Sequence, residues 1–185
     1  MLEPDQAETA RILNERARAA AAPPAVRPSD ERIEVVEFTL GSESYAVETR
    51  YVREVRQLKA LTPLPGAPPF LVGVISLRGE ILPVLDLRSY FEMPMIGLSE
   101  VNRLVVLGEV RPELALLADS VPGLRSLPAT EVQAELPTLN GIRQKFLVGV
   151  TPAMLGVLDG ARLLKQGGLL GQALPESTGG SHALV

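Results

Sequence analysis

The chain has 185 residues, 46% of them hydrophobic, and its 18 Lys+Arg against 22 Asp+Glu give a formal net charge of −4. That is enough apolar chain for one ordinary domain or two small subdomains, and too apolar for general disorder. With no cysteine, and a single histidine at His182 near the C-terminus, disulfides, thiolate metal sites, iron–sulfur clusters, cysteine nucleophiles and histidine-based triads are excluded.

In chain order, residues 1–22 hold good helix formers (Glu, Arg, Leu and the run Ala19 to Ala22) after Pro4, and Pro23-Pro24 stops them. The apolar face through Ile12 and Leu13 is narrow, so this helical leader either frays or docks on the body or a partner. The opening MLEPDQAETA has no basic segment followed by an apolar one, so it does not read as a signal peptide. Residues 23–31 read as a linker, which puts the leader and linker together at 1–31.

Residues 32–165 change character. Val36, Phe38 and Leu40 alternate along a strand over residues 33–40, residues 41–44 turn, and Tyr45-Ala46-Val47 returns. Val52 and Val55, three apart, suit a short helical turn within 49–56. Pro63, Pro65, Pro68 and Pro69 make residues 61–70 a surface loop. A hairpin follows, with strands at 71–77 and 81–87 around Arg78-Gly79-Glu80, where Gly79 supplies the positive φ of a tight turn. Further strands are predicted at 103–110, 114–118, 145–150 and 154–158, a short helix at 160–165 and a flexible tail at 166–185. Short strands punctuated by Gly and Pro, with no crossover helices, predict an all-β protein: an antiparallel barrel or a pair of barrels.

Chemistry is sparse in this pattern. Asp86, Asp119 and Asp159 each sit beside an apolar strand without a catalytic partner at a recognisable spacing. They read as strand-end carboxylates accepting backbone or arginine hydrogen bonds. Gly73, Gly79 and Gly149 stand singly and form no phosphate loop, and Ser76 has no GxSxG context. No metal or organic cofactor is expected. The acidic balance argues against nucleic acid, which asks for a concentrated basic face. No apolar run approaches the roughly 18 to 20 residues of a membrane helix. Val52, Val55 and Leu58 are either the buried underside of a turn or a groove facing a partner. Arg78 is either a plain turn residue or, with aliphatic neighbours, an interface anchor. Residue spacing alone thus yields a soluble all-β binding module, and the absence of cysteine fits a cytoplasmic one.

The segments Phe38-Thr39-Leu40-Gly41 with Tyr45-Ala46-Val47, Val52-Arg53-Glu54-Val55 and, above all, Gly73 to Arg88 (GVISLRGEILPVLDLR) resemble the CheW-like adaptor domain of bacterial chemosensory arrays. Ala118-Asp119-Ser120-Val121, Phe146-Leu147-Val148-Gly149 and Leu158-Asp159 with Leu163-Leu164 are similar to its later segments, so the likeness covers about residues 33–165. The resemblance implies two SH3-like five-stranded β-barrel subdomains around a shared hydrophobic core, with short helices. It implies a non-enzymatic coupling role, with two partners: the helical-hairpin tip of chemoreceptors and the regulatory domain of a CheA-type histidine kinase, which has the same fold. Other CheW-like domains are further possible partners. Carried over by position, the receptor-binding residues are Val52, Glu54, Arg78 and Leu104, with Val52 and Leu104 as aliphatic groove wall, Arg78 a charge-assisted contact, Glu54 a rim contact and Gly79 holding the turn. Asp86 and Arg88 keep a structural reading. Residues 134–140 depart from the family's acidic-aromatic loop near the kinase and adaptor contacts. An adaptor of a non-flagellar chemosensory pathway, or a receptor-only binder, is the alternative.

Overall fold

The structure, a computed structural model, describes residues 31–94, 101–134 and 145–173, with side chains as far as Gly167. The predicted leader helix, most of the 134–140 loop and the chain from residue 174, His182 included, lie outside the described residues.

Among the described residues, ten strands and two α-helices follow one another: β1 (Arg32–Leu40), β2 (Glu43–Glu48), β3 (Val52–Gln57), β4 (Leu71–Leu77), β5 (Glu80–Leu85), α1 (Leu87–Tyr90), β6 (Arg103–Leu107), β7 (Leu114–Ala118), β8 (Ser120–Pro128), β9 (Leu147–Val150), β10 (Leu155–Leu158) and α2 (Gly160–Ala173). They form two five-stranded sheets, ordered β8-β1-β2-β10-β9 and β3-β6-β7-β5-β4. The pairing scheme is the same in both. β1 and β2 play in the first sheet the part β6 and β7 play in the second, while β8, β9 and β10 correspond to β3, β4 and β5.

Each sheet is drawn round towards closure by one isolated bridge. Past β3 the chain reaches Thr62, which bridges Val74 of β4, and past β8 it reaches Gln133, which bridges Val150 of β9. Glycine is required at both crossings. A Cβ on Gly73 would lie 2.4 Å from the Thr62 carbonyl oxygen, and one on Gly149 would lie 2.5 Å from that of Gln133. The two glycines sit in one repeated pentapeptide, Phe-Leu-Val-Gly-Val, at 70–74 and 146–150. Later in each barrel comes a repeated Val-Leu-Asp. The amide of Asp86 donates to the Phe70 carbonyl and that of Asp159 to the Phe146 carbonyl, both at 2.8 Å. Tyr90 lies between the two phenylalanines, tilted against Phe70 with ring centroids 4.3 Å apart and edge-to-face with Phe146 at 5.3 Å.

Apolar side chains divide into three clusters, as alternation requires when a sheet is covered on both faces. The largest lies between the sheets, with Phe38, Leu40 and Val47 of the first and Val105, Leu107, Leu114 and Leu116 of the second, joined by Leu163 and Leu164 of α2. A second fills the β3–β7 sheet (Ile75, Leu82, Val84, Leu104, Val106) and a third the other (Val35, Ala46, Leu127, Leu155, Val157). Two small barrel-like sheets around a shared core are therefore present, each drawn towards closure without being a closed barrel.

Several sequence predictions need correction. The 49–56 segment is only a 3-10 turn at Thr49–Tyr51, and the rest is strand β3. β3 and β6 shift register between Val52 and Glu54, a bulge at Arg53. That extra residue puts Val52 (opposite Leu107) and Val55 (opposite Val105) on one face despite their spacing of three, which imitates a helical period. Strand β8 was not anticipated. Pro122, Gly123 and Pro128 disguise it, and they are tolerated because it is an edge strand paired only to β1 within its sheet. The sheets are not antiparallel throughout, since β2 runs parallel to β10 and β5 to β7. The crossovers those pairs need are made by intervening strands rather than by long helices. β5 ends at Leu85, where Asp86 caps the short α1, and α2 runs on to Ala173, into the segment read as tail.

Candidate functional site

The β4–β5 hairpin turns through two residues, Arg78 and Gly79, flanked by the pair Leu77 and Glu80. Both turn residues have positive φ, 53° and 87°, the demand of a type I′ turn. Glycine meets it freely. Arginine pays about 1–2 kcal/mol for the left-handed conformation, and its side chain is 76% exposed, so nothing buried compensates it. Arg78 Nη2 donates to Glu54 Oε2 at 2.6 Å, and Arg56 Nη1 lies 3.7 Å from Glu54 Oε1. An exposed pair of this kind contributes only about 0–1 kcal/mol to stability. Its effect is positional: the guanidinium is held over the edge strand β3.

Of the four sequence-assigned binding residues, the structure brings Glu54 and Arg78 into contact. It separates the other two. Val52 is half-buried and packs against the core between the sheets, whereas Leu104 is wholly buried in the β3–β7 barrel, on the opposite face of the same sheet. Leu104 thus backs the surface and does not itself form an exposed wall. Two residues of this edge escaped the sequence reading: Arg53, placed in the open by the bulge, and Arg56. Val55, left open between core and groove, is 42% exposed.

The three aspartates considered for catalysis all have structural partners. Asp86 is fully buried; its Oδ1 accepts from the Arg88 amide at 3.0 Å, capping α1, and its two oxygens accept from Arg88 Nε and Nη2, each at 2.9 Å. Hydrogen bonding to Asp86, and then the charges of Asp86 and Asp119, raise the Arg88 pKa against the opposing effect of burial. Asp119 accepts from Arg88 Nη1 at 3.0 Å, from Asn102 Nδ2 at 3.1 Å and from the Gly41 amide at 2.6 Å, which ties the β1–β2 turn to the other sheet. Asp159 accepts from the Arg162 amide and from its Nε, both at 3.0 Å, at the start of α2. Ser76 is exposed on β4. Among the described residues no three His, Cys, Asp or Glu are placed to hold a metal ion, and no helix is long and apolar enough to cross a membrane.

Two open clefts lie elsewhere. One of about 480 Å3 is lined by Glu43, Tyr45, Leu147, Val150 and Met154. Another of about 380 Å3 is lined by Glu80, Ile81, Leu82, Arg111 and Glu113. They occupy corresponding corners of the two barrels, and neither includes Arg78 or Glu54. An exposed sheet edge with charges held in place is equipped to bind a protein surface.

The chain is similar to known proteins. The sequence profile of the CheW-like domain matches residues 34–167. The chemotaxis protein CheW of Treponema pallidum is 26% identical over 126 residues, 66% of this chain and 74% of that protein. Protein FrzA of Myxococcus xanthus is 35% identical over 117 residues, 63% of this chain and 72% of the relative, and protein PilI of Pseudomonas aeruginosa is 28% identical over 72% and 75%. The crystal structure of the scaffolding protein TtCheW from Thermoanaerobacter tengcongensis superposes with a TM-score of 0.62 at 26% identity, covering 70% of this chain and 90% of that one. With the profile spanning both barrels, the chain belongs to the CheW-like domain family, a family of chemosensory adaptors.

Proposed function

We propose that this protein is a non-enzymatic chemosensory adaptor that couples chemoreceptor tips to the regulatory domain of a CheA-type histidine kinase. It works in the cytoplasm, at membrane-associated arrays, with other CheW-like domains as further neighbours. The observation that carries the reading is Arg78, kept in a costly exposed conformation and steered by Glu54 over the β3 edge. Such a residue does little for the fold and much for a partner. Val52 and Val55 add aliphatic surface on the other face of the same edge strand, and a receptor helix laid along that edge meets apolar contact with a charged rim. Leu104 is buried behind that edge and takes no direct part in the contact. Signalling then follows from linkage: a receptor conformation that binds the adaptor–kinase pair differently shifts the population of active kinase. The kinship with proteins named for chemotaxis and for scaffolding supports this reading.

The test is retention of soluble receptor tips on immobilised protein. Arg78→Glu reverses the charge beside Glu54 and should reduce retention at least tenfold while the thermal transition is kept. Undiminished retention would refute the assignment. A second reading, an adaptor of a non-flagellar pathway or a receptor-only binder, is favoured by the 35% identity to FrzA, a relative not named for chemotaxis. Kinase activity reconstituted with and without the protein separates the two, because a receptor-only binder leaves it unchanged.

A further inference from the structure

The overall charge of −4 hides a local excess of the opposite sign. Around the β3 edge stand Arg53, Arg56, Arg78 and Arg103, with one carboxylate, Glu54, shared by Arg56 and Arg78. Among the described residues neither Arg53 nor Arg103 pairs with a carboxylate: Arg53 donates to the Arg50 carbonyl and Arg103 to that of Val101 at 3.0 Å. Arg103 stands opposite Gln57, at the end of the same pair of strands. Arg53 is the bulged residue, the one position of β3 without a partner on β6, and it is exposed. Bulges re-aim side chains, and this one delivers an uncompensated cation beside Val52 and the exposed Val55.

We propose that Arg53 is a specificity-determining residue that selects, at this edge, a partner helix carrying carboxylates along its aliphatic stripe. The inference rests on the receptor-helix reading above and deepens it. A helix is favoured over an added strand because a bulge and flanking arginines blunt a sheet edge for strand pairing. It is favoured over nucleic acid because Glu54 stands among these cations, paired with Arg56 and Arg78, and the exposed apolar residue of β3 is Val55 rather than an aromatic platform for bases. Charge at such a rim acts mainly on the association rate and fades with salt.

The experiment uses the full chain and, as probe, a soluble receptor-tip fragment from the source organism, with association followed by surface plasmon resonance at 50 and 300 mM NaCl. Each exposed pair changes affinity by a factor of about 1.5 to 5. Arg53→Glu, which exchanges attraction for repulsion, should therefore weaken binding about five- to tenfold at 50 mM, chiefly through slower association, and much less at 300 mM. Arg53→Lys should stay near the parent. Neutralising the exposed carboxylates of the tip to Gln or Asn should abolish the difference between parent and Arg53→Glu. Equal association of parent and Arg53→Glu at 50 mM, with Arg78→Glu still defective, overturns the charge selection and leaves the adaptor reading intact. A tip that fails to bind the parent protein overturns both. Arg53-dependent binding of phosphatidylglycerol vesicles or duplex DNA, with tip binding indifferent to Arg53, overturns the helix as occupant.

Discussion

Replacing Arg88 by Met tests whether the Asp86–Arg88 pair holds the fold together. Arg88 is 1% exposed and Asp86 0%. Two guanidinium nitrogens meet the two Asp86 oxygens at 2.9 Å, and a third meets Asp119 at 3.0 Å. Every buried side-chain N and O atom among the described residues has a partner, so the network has no slack to absorb a deletion. Methionine fills much of the volume and leaves the Asp86 carboxylate buried without its counter-ion. Stranding one member of such a pair costs about 3–5 kcal/mol, against a total stability of about 5–15 kcal/mol. With a urea slope near 2 kcal/mol/M, the unfolding midpoint falls by about 1.5–2.5 M. Adding Asp86→Asn removes the orphaned charge and keeps an acceptor for the helix cap, so the double variant should regain about 1–3 kcal/mol over the single one. Equilibrium urea unfolding of parent, single and double variants measures this. A single variant within about 1 kcal/mol of the parent, at equal slope, defeats the reasoning.

Gly73→Ala and Gly149→Ala each push a methyl into a closing carbonyl, at 2.4 and 2.5 Å, and should each cost about 1–3 kcal/mol; parent-like stability of either denies that its crossing draws the barrel shut. Leu104→Ala should cost about 2–5 kcal/mol by cavity formation while the folded protein keeps its receptor-tip affinity; lost affinity at unchanged stability would make Leu104 a contact. Burial raises the Tyr90 phenol above its ordinary 10.0, partly offset by the hydrogen bond from Gln166. The neutral ring's contribution is full below pH 10.0 and is lost as pH rises through the higher folded value. Tyr90→Phe should therefore flatten the decline of stability above pH 10.0, and equal decline in both proteins contradicts it.

The parts of the fold legible in the sequence are those fixed by neighbours along the chain. Alternation announces β1, Gly79 announces the hairpin, and four prolines announce the 61–70 loop. Val52 and Val55 mislead because a bulge and a helical turn both bring residues three apart onto one face, and only the register with Leu107 and Val105 decides between them. The β5–β7 and β2–β10 parallel pairs leave no local mark, since partners distant in sequence select them. The twice-used Phe-Leu-Val-Gly-Val and Val-Leu-Asp are a signal of a different kind. They stand in plain view, and they state that two sheets are drawn towards closure in the same way by glycine, carbonyl and capped helix. At the β3 edge, the family resemblance assigned Arg78 and Glu54, but their contact at 2.6 Å depends on β3 lying near the β4–β5 turn. The excess of cations around it is diluted beyond recognition in a net charge of −4.

The duplicated scheme also sharpens what the exposed corners say. The β9–β10 connection corresponds to the β4–β5 turn, and it too holds a residue other than glycine at positive φ, Met154 at 61°. Either corner would be more stable with glycine, by about 1–2 kcal/mol. Backbone geometry therefore explains neither Arg78 nor Met154. Burial does not explain them either, since Met154 is 75% exposed and the Arg78 side chain 76%. What differs is the chemistry offered: a cation steered by Glu54 at one corner, and a thioether beside a cleft lined by Tyr45 and Leu147 at the other. Two sheets drawn round by the same construction but tipped with unlike side chains present unlike faces to their surroundings. Under the coupling role proposed above, that asymmetry would serve to hold two different proteins at once without exchanging them.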